Sequence, residues 1–368
     1  MNLLDDSIYV VVAVLAVAGL GGGAWLTSRT PRNLRGAALN GLVILVSSVL
    51  ILAGVGLVLN RSNAWFEKPS DILGGAESKE EHQQKGAASD TFVREDAVTR
   101  TDTRALPALP APGQRTQVFN VPTSVGNATW AVTVILPSDY FEPGEAQRAY
   151  PVLMAGHGMP GSTRQFQSVI DMATVGDQAV SQRKIAPFIT VVPSLMPNGK
   201  DTECVHGPGG DTQVETWLAR DVPAFVAERL RVVPQRSGWA WLGFSAGAWC
   251  GSMVTMRHPD RFSAAVSLGG YFRPAWTSKP PLNAQRLAGY DLVALAKTKP
   301  PRVALSVHST RKDASSWAST KPFLESARAP MSVTAAIDSA GGHNFSVWRP
   351  QVPKGLAWLG AGVPGFKP

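Results

Sequence analysis

Residues 237–259 read SGWAWLGFSAGAWCGSMVTMRHP, an apolar strand pattern that turns into a helix pattern at Gly243-Phe244-Ser245-Ala246-Gly247. A G-x-S-x-G join between strand and helix is the nucleophile elbow. Its glycines carry no side chain, so a sharp turn can lift the serine hydroxyl clear of the sheet. The same turn aims the first amides of the new helix at any oxyanion that develops beside the serine. Gly and Ser are common, so the five residues alone say little. Their place after the fifth of a series of strands makes the motif specific.

Working outward, strand-like runs recur on both sides. TQVFNVP (116–122) and TWAVTVILP (129–137) read as an antiparallel opening pair. YPVLMAGHG, APFITVVPSL, SGWAWLGFS, FSAAVSLGG, RVALSVHST and MSVTAAIDS follow, with helical patterns at 164–179, 214–230, 246–257 and 347–359. Near-continuous apolar strands joined by helical crossovers imply a mostly parallel sheet with helices on both faces. Eight strands in this order fit an α/β-hydrolase fold over residues 116–368.

A serine hydroxyl is a weak nucleophile and needs a base. The chain holds six histidines. His82 falls in a polar stretch, His258 closes the elbow helix, and His308 lies within a strand. His206 sits in a Gly/Pro-rich loop, and His157 precedes the nucleophile. His343, in the loop after the last strand, follows the order nucleophile, acid, histidine expected of this fold. The acid should leave the preceding strand, which makes Asp313 the candidate. Glu325 reads as helix surface and Asp338 as a strand-end cap. Gly156-His157-Gly158-Met159-Pro160-Gly161 follows the third strand and offers the Met159 N–H as one oxyanion donor; Pro160 has none. The other is the N–H of Ala246. His157, Phe244, Tyr271, Phe272 and Trp276 are the candidate substrate contacts, with the segment from Tyr271 to Tyr290 expected to cover the site.

The amino-terminal third differs. No charge occurs from Ile8 to Leu26 or from Leu39 to Leu59, each about the ~20 residues that cross a bilayer as a helix. Asp5 and Asp6 precede the first run where a signal peptide would carry positive charge. Gly19 and Gly21 to Gly23 suit close helix contact. Arg29, Arg32 and Arg35 lie between the runs without an acid, which places that loop in the cytoplasm and both ends outside. Trp65 and Phe66 are candidate interfacial anchors. The expected organisation is a transmembrane hairpin over 1–61, a flexible tether over 62–115 and a catalytic domain beyond it, on the outer face of the plasma membrane.

The net charge of +8 is scattered, with no Lys/Arg run of the kind that tracks phosphates, so nucleic acid is not an expected partner. Cys204 and Cys250 are the two cysteines. They allow one disulfide at most, and sequence alone leaves their pairing open. No spacing suggests a metal site, and no cofactor is expected.

Glu215-Thr216-Trp217-Leu218, Asp221-Val222-Pro223, GWAWLGFSAGAWC, HPDRF and SLGGYF resemble the esterase D and antigen 85 (mycolyltransferase) family. The resemblance implies the α/β-hydrolase fold, with Ser245 as nucleophile, Asp313 as acid and His343 as base. It also implies cleavage of acyl esters through a serine acyl-enzyme, or passage of the acyl group to a sugar hydroxyl. The hairpin and Asp201-Thr202-Glu203-Cys204 resemble a membrane-tethered actinobacterial branch, which implies a Cys204–Cys250 disulfide. Two departures stand out. GHGMPGSTR lacks the acidic residue with which mycolyltransferases grip trehalose, and the acid is Asp rather than their Glu. The expected substrate is an acyl ester or envelope lipid, with a sugar acceptor as the alternative. A non-catalytic binding protein on the same fold is the competing reading.

Overall fold

The computed structural model describes residues 6–30, 33–63, 80–86, 98–208, 213–276 and 281–368. Among these, nine strands share one sheet: β1 (Glu80–Gly86), β2 (Thr116–Pro122), β3 (Thr129–Ile135), β4 (Val152–Gly156), β5 (Ile189–Pro193), β6 (Trp239–Phe244), β7 (Ala264–Leu268), β8 (Ala304–Thr310) and β9 (Ser332–Asp338). Their order is β1-β9-β8-β7-β6-β4-β5-β3-β2. The strands from β9 across to β5 run parallel, with β1 and the β2–β3 pair antiparallel at the edges. Every residue of β4, β5, β6 and β7 is buried, as expected of strands covered on both faces. β2 alternates instead: Phe119 and Val121 point inward while Val118 is exposed.

All eight expected strands are present, and a ninth lies within 62–115, the expected flexible tether. Glu80–Gly86, sequence EEHQQKG, pairs along its whole length with β9, from Glu80 opposite Asp338 to Gly86 opposite Ser332. Nothing apolar in it signals a strand. The backbone ladder of an otherwise open edge sets its conformation, and charged side chains suit such an edge. Lys354 Nζ lies 2.6 Å from Glu80, and Arg311 is paired with Glu81. Residues 98–115 are also packed. Thr101 bridges Arg148, Asp102 is buried against Arg104, and the buried Gln117 amide bonds both Ala111 and the Gln114 carbonyl. Ser62 and Asn63 end the second amino-terminal helix, and the remainder of the expected tether, with Trp65 and Phe66, lies outside the described residues.

Two helical expectations also change. The run 164–179 is split at Asp171, whose left-handed backbone (φ 52°) starts a new helix, Met172–Ser181. The run 214–230 contains a π-turn, Trp217–Asp221, just before Pro223. Proline has no N–H to give to the preceding turn, which accounts for the wider hydrogen bonding there.

The chain divides into two compact units, one on the amino-terminal helices and one on the sheet. In the first, Asp6–Arg29 and Leu34–Asn63 are helices long and apolar enough to cross a bilayer, with mean hydropathy of 2.0 over Ser7–Trp25 and 2.7 over Arg35–Val58. Gly19 and Gly23 face the second helix, where a Cβ on Gly23 would lie 2.6 Å from Val43. Gly21 and Gly22 meet nothing within 4 Å, so only the i, i+4 pair serves the contact.

Candidate active site

Three glycines explain why the elbow forms where it does. A Cβ on Gly247 would lie 2.0 Å from the Gly156 oxygen, and one on Gly243 would lie 2.4 Å from the Gly247 carbonyl. Helix Ala246–Arg257 thus rests directly on the backbones of β4 and β6, closer than any side chain permits. Ser245 sits at the join with φ 55° and ψ −126°, a backbone that costs a non-glycine residue of order 1–3 kcal/mol. Its N–H donates to Leu268 O at 3.0 Å, and its carbonyl accepts from Ala248 and Trp249 at 3.0 and 3.1 Å. Strain held this firmly is a mark of functional sites.

The hydroxyl so presented is 2.7 Å from His343 Nε2, and His343 Nδ1 is 2.8 Å from Asp313 Oδ2. Asp313, 3% exposed, also accepts from Ser316 Oγ at 2.7 Å. Its other oxygen accepts from the Ser315 and Ser316 amides at 3.0 and 3.2 Å, capping helix Ala314–Ser326. Burial pushes the Asp313 carboxyl up, but the His343 hydrogen bond and charge, with the Ser316 bonds, outweigh it and leave the group below its ordinary value. The carboxylate is therefore ionised and fully bonded at neutral pH.

Three residues that sequence reading missed complete this chain. Thr310 Oγ1 accepts from Asp313 N at 3.1 Å and donates to Gly341 O at 2.8 Å, joining the acid loop to the histidine loop. Ser316 fixes the carboxylate as described. Trp348 meets the His343 ring edge-to-face at 4.7 Å and 86°. Ser and Thr near strand ends are too frequent to single out by eye, and Trp348 lay within a predicted helix.

The glycine loop after β4 lies beside the serine, since a Cβ placed on Gly158 would be 3.5 Å from Ser245 Cβ. Met159 follows it, half-buried, and Ala246 opens the elbow helix. His157 is 1% exposed and touches no open surface, which corrects its reading as a substrate contact. Its Nε2 accepts from Leu195 N at 3.1 Å, so its Nδ1–H donates to Gly158 O at 2.9 Å. Burial lowers its pKa to about 4, against the opposing pull of the Gly158 bond, and the neutral ring acts as a buried brace for the loop.

Phe244 and Phe272 need the same correction, both being 0% exposed. The Phe244 ring is enclosed, stacked between Phe166 and Trp348. Phe272 stacks on Phe323 at 3.7 Å. Tyr271 lies against Trp249 and is nearly buried, while Trp276 remains partly accessible. Asp338 is no simple cap; its carboxylate is 3.0 Å from His308 Nε2, a buried pair apart from the Asp313–His343 pair.

Cys204 and Cys250 are joined in a disulfide that ties the loop after β5 to the elbow helix, closing a loop across 46 residues. Loops of this size gain about 2–4 kcal/mol from a cross-link. Replacing both cysteines by serine should lower unfolding stability by that amount, as measured by denaturant titration under oxidising conditions. An unchanged midpoint would show the bridge to be dispensable.

A serine, histidine and carboxylate joined in sequence on a mostly parallel sheet define a serine hydrolase of the α/β-hydrolase fold. The chain belongs to the Esterase family, described as "Putative esterase", whose match runs over residues 124–359. An uncharacterized protein of Corynebacterium glutamicum is 23% identical over 241 residues, covering 61% of this chain and 55% of that protein. The chain spans about half the length of that relative. Among solved structures, a ferulic acid esterase is similar at a TM-score of 0.57 and 21% identity, over 66% of this chain and 97% of its own. An S-formylglutathione hydrolase from Agrobacterium tumefaciens gives 0.57 and 14%, over 67% and 95%. A fluorophosphonate-binding serine hydrolase of Staphylococcus aureus gives 0.53 and 15%, over 66% and 97%. At these identities the likeness is one of fold.

Proposed function

We propose that this serine esterase is membrane-anchored and cleaves acyl esters, envelope lipids foremost, with Ser245 as nucleophile, His343 as general base and Asp313 as its orienting acid. The observation that carries the reading is the unbroken chain from Ser245 Oγ to His343 to Asp313, at 2.7 and 2.8 Å. Ser245 Oγ attacks the ester carbonyl while its proton passes to His343 Nε2. The N–H groups of Met159 and Ala246 receive the oxyanion. Collapse breaks the bond to the alcohol oxygen, which takes the proton from His343 and leaves an acyl-Ser245. His343 then removes a proton from water or from an acceptor hydroxyl. That oxygen attacks the acyl carbon, and the proton returns to Ser245 as the acid or new ester departs. Transfer to a sugar hydroxyl is this same second step with a different acceptor.

The two apolar helices support anchoring, since both reach bilayer length. Arg29, Arg32 and Arg35, between the two uncharged apolar runs and with no acid among them, support a cytoplasmic loop and a catalytic domain outside the plasma membrane. A disulfide in the catalytic unit is in keeping with that compartment.

Quenching the full-length protein during turnover of p-nitrophenyl butyrate tests the reading. The expected result is a butyryl adduct on the peptide holding Ser245, with trehalose or glucose diverting acyl product from free acid if transfer operates. Ester turnover with the adduct on another residue, or with no covalent adduct under rapid quench, would overturn the nucleophile assignment.

A further inference from the structure

The segment from Gly269 to Trp276 leaves β7 and runs between the helices that begin at Ser245 and Asp313. On one side, a Cβ on Gly270 would lie 2.8 Å from Ala248 Cβ, and the Tyr271 ring stacks on Trp249 at 5.7 Å and 11°. Both neighbours belong to the elbow helix. On the other side, Thr320 Oγ1 donates to Gly270 O at 3.2 Å and Phe272 N donates to Ser319 Oγ at 2.9 Å. Those partners, with Phe323 under Phe272, belong to the helix that starts at Asp313. The segment is slung across the carboxyl ends of the strands, where ligands of open α/β sheets bind. The side chains it leaves at least partly accessible before residue 277, apart from Arg273, are Pro274, Ala275 and Trp276, all largely apolar.

A buried carboxylate fastens it. Glu203 is 3% exposed; its Oε1 accepts from the Tyr271 hydroxyl at 2.7 Å and its Oε2 from Ala275 N at 2.9 Å. Its own carbonyl accepts from Trp249 Nε1 at 2.9 Å, and Cys204 beside it is bridged to Cys250. Trp276 Nε1 adds a bond to Asp201 O at 3.3 Å. Glu203 and Cys204 are consecutive left-handed residues, with φ of 47° and 56°. Two such residues in a row persist only where their surroundings over-determine them, and here a disulfide and several hydrogen bonds do so. The strained turn aims one carboxylate at two points of the segment while its backbone stays locked to the elbow helix.

We propose that Glu203 is a positioning residue of this esterase: through Tyr271 and Ala275 it holds Tyr271–Trp276 as the wall against which the substrate's acyl chain packs. The proposal rests on Ser245 being the nucleophile. Burial pushes the Glu203 carboxyl up to about 7, with the Ala275 and Tyr271 bonds opposing and the Asp201 carboxylate reinforcing the rise. Burial, with the Glu203 charge, lifts the Tyr271 hydroxyl well above its ordinary value, so it stays a neutral donor. Glutamine can accept from Ala275 N with its oxygen and donate to the Tyr271 oxygen with its amide. The fastening therefore survives Glu203→Gln and fails in Glu203→Ala.

The test compares kcat/KM for p-nitrophenyl octanoate and p-nitrophenyl acetate in wild type, Glu203→Ala, Glu203→Gln and Tyr271→Phe. A fluorophosphonate labelling rate on each protein separately reports the state of Ser245. The expected result is a fall of roughly tenfold or more in the octanoate-to-acetate ratio for Glu203→Ala, seen in KM for octanoate, the size of one or two methylene contacts in an apolar pocket. Glu203→Gln restores the ratio, and Tyr271→Phe, which keeps the ring but loses one bond, lowers it by roughly threefold. A ratio unchanged in both Glu203→Ala and Tyr271→Phe overturns the proposal, as does an equal loss on both esters with normal labelling. Should Glu203→Ala fail to fold, Tyr271→Phe decides alone by the same ratio. Wild type that takes no label at all would instead indict the nucleophile.

Discussion

Replacing Ser245 by alanine should lower ester turnover by about 10⁴- to 10⁶-fold, and adding His343→Ala to it should cost almost nothing more. The two side chains act as one unit: the histidine has a proton to take only if the hydroxyl 2.7 Å away is there to give it. The proposed oxyanion donors, the Met159 and Ala246 amides, are untouched by the change, so some rate above that in water is expected to persist. Alanine at 245 keeps the strained backbone and the Leu268, Ala248 and Trp249 bonds, all of which are made by main-chain atoms. Thermal unfolding of the variant should stay close to wild type. Initial rates on p-nitrophenyl butyrate for both single variants and the double give the comparison. Losses that multiply would mean that serine and histidine act independently.

Asp313→Asn should cost about 10³- to 10⁴-fold in kcat while leaving the fold intact. The reason is the direction of each hydrogen bond. One carboxylate oxygen accepts from two backbone amides at the helix start, and the other accepts from His343 Nδ1 and Ser316 Oγ. Asparagine has one acceptor oxygen, and the two amides, which cannot turn round, claim it. Its NH₂ then faces Nδ1, so the imidazole must carry its proton on Nε2 and point it at Ser245. A base with its proton already in place accepts none. The cap survives because asparagine is as good an N-cap as aspartate, which separates this loss from unfolding. The check is kcat against thermal stability for Asp313→Asn beside Asp313→Ala, where the cap also goes and about 1 kcal/mol of stability with it. A kcat within tenfold of wild type in Asp313→Asn would remove Asp313 from the reaction.

How much of this was legible beforehand depended on whether the signal was local. The elbow was, because its glycines, serine and strand-to-helix switch lie within a few residues and each is required by the same turn. The eight apolar strands were, because burial on both faces leaves a compositional trace. β1 was not: EEHQQKG takes its shape from the β9 ladder at the far end of the chain, and that partner leaves no mark on it. The histidine and acid followed from topological order, whereas their supports did not. Thr310 and Ser316 are ordinary strand-end and helix-start residues until two loops meet over them. Substrate contacts are not legible in this way, because packing decides where a side chain points. Phe244 adjoins Ser245 in the chain, yet its ring is fully buried between Phe166 and Trp348. Glu203 gave a different lesson. Its segment stood out by resemblance, but only the folded chain reveals a carboxylate placed on a strained turn and bonded to the segment beside the site.

Whether Ser245 is an activated nucleophile is read from the rate at which a small fluorophosphonate labels the purified protein, compared with Ser245→Ala and His343→Ala. An activated Ser245 gives stoichiometric label on wild type, none on Ser245→Ala and a rate lower by orders of magnitude on His343→Ala. Well-folded wild type that takes no label, or label that survives in Ser245→Ala, would contradict it.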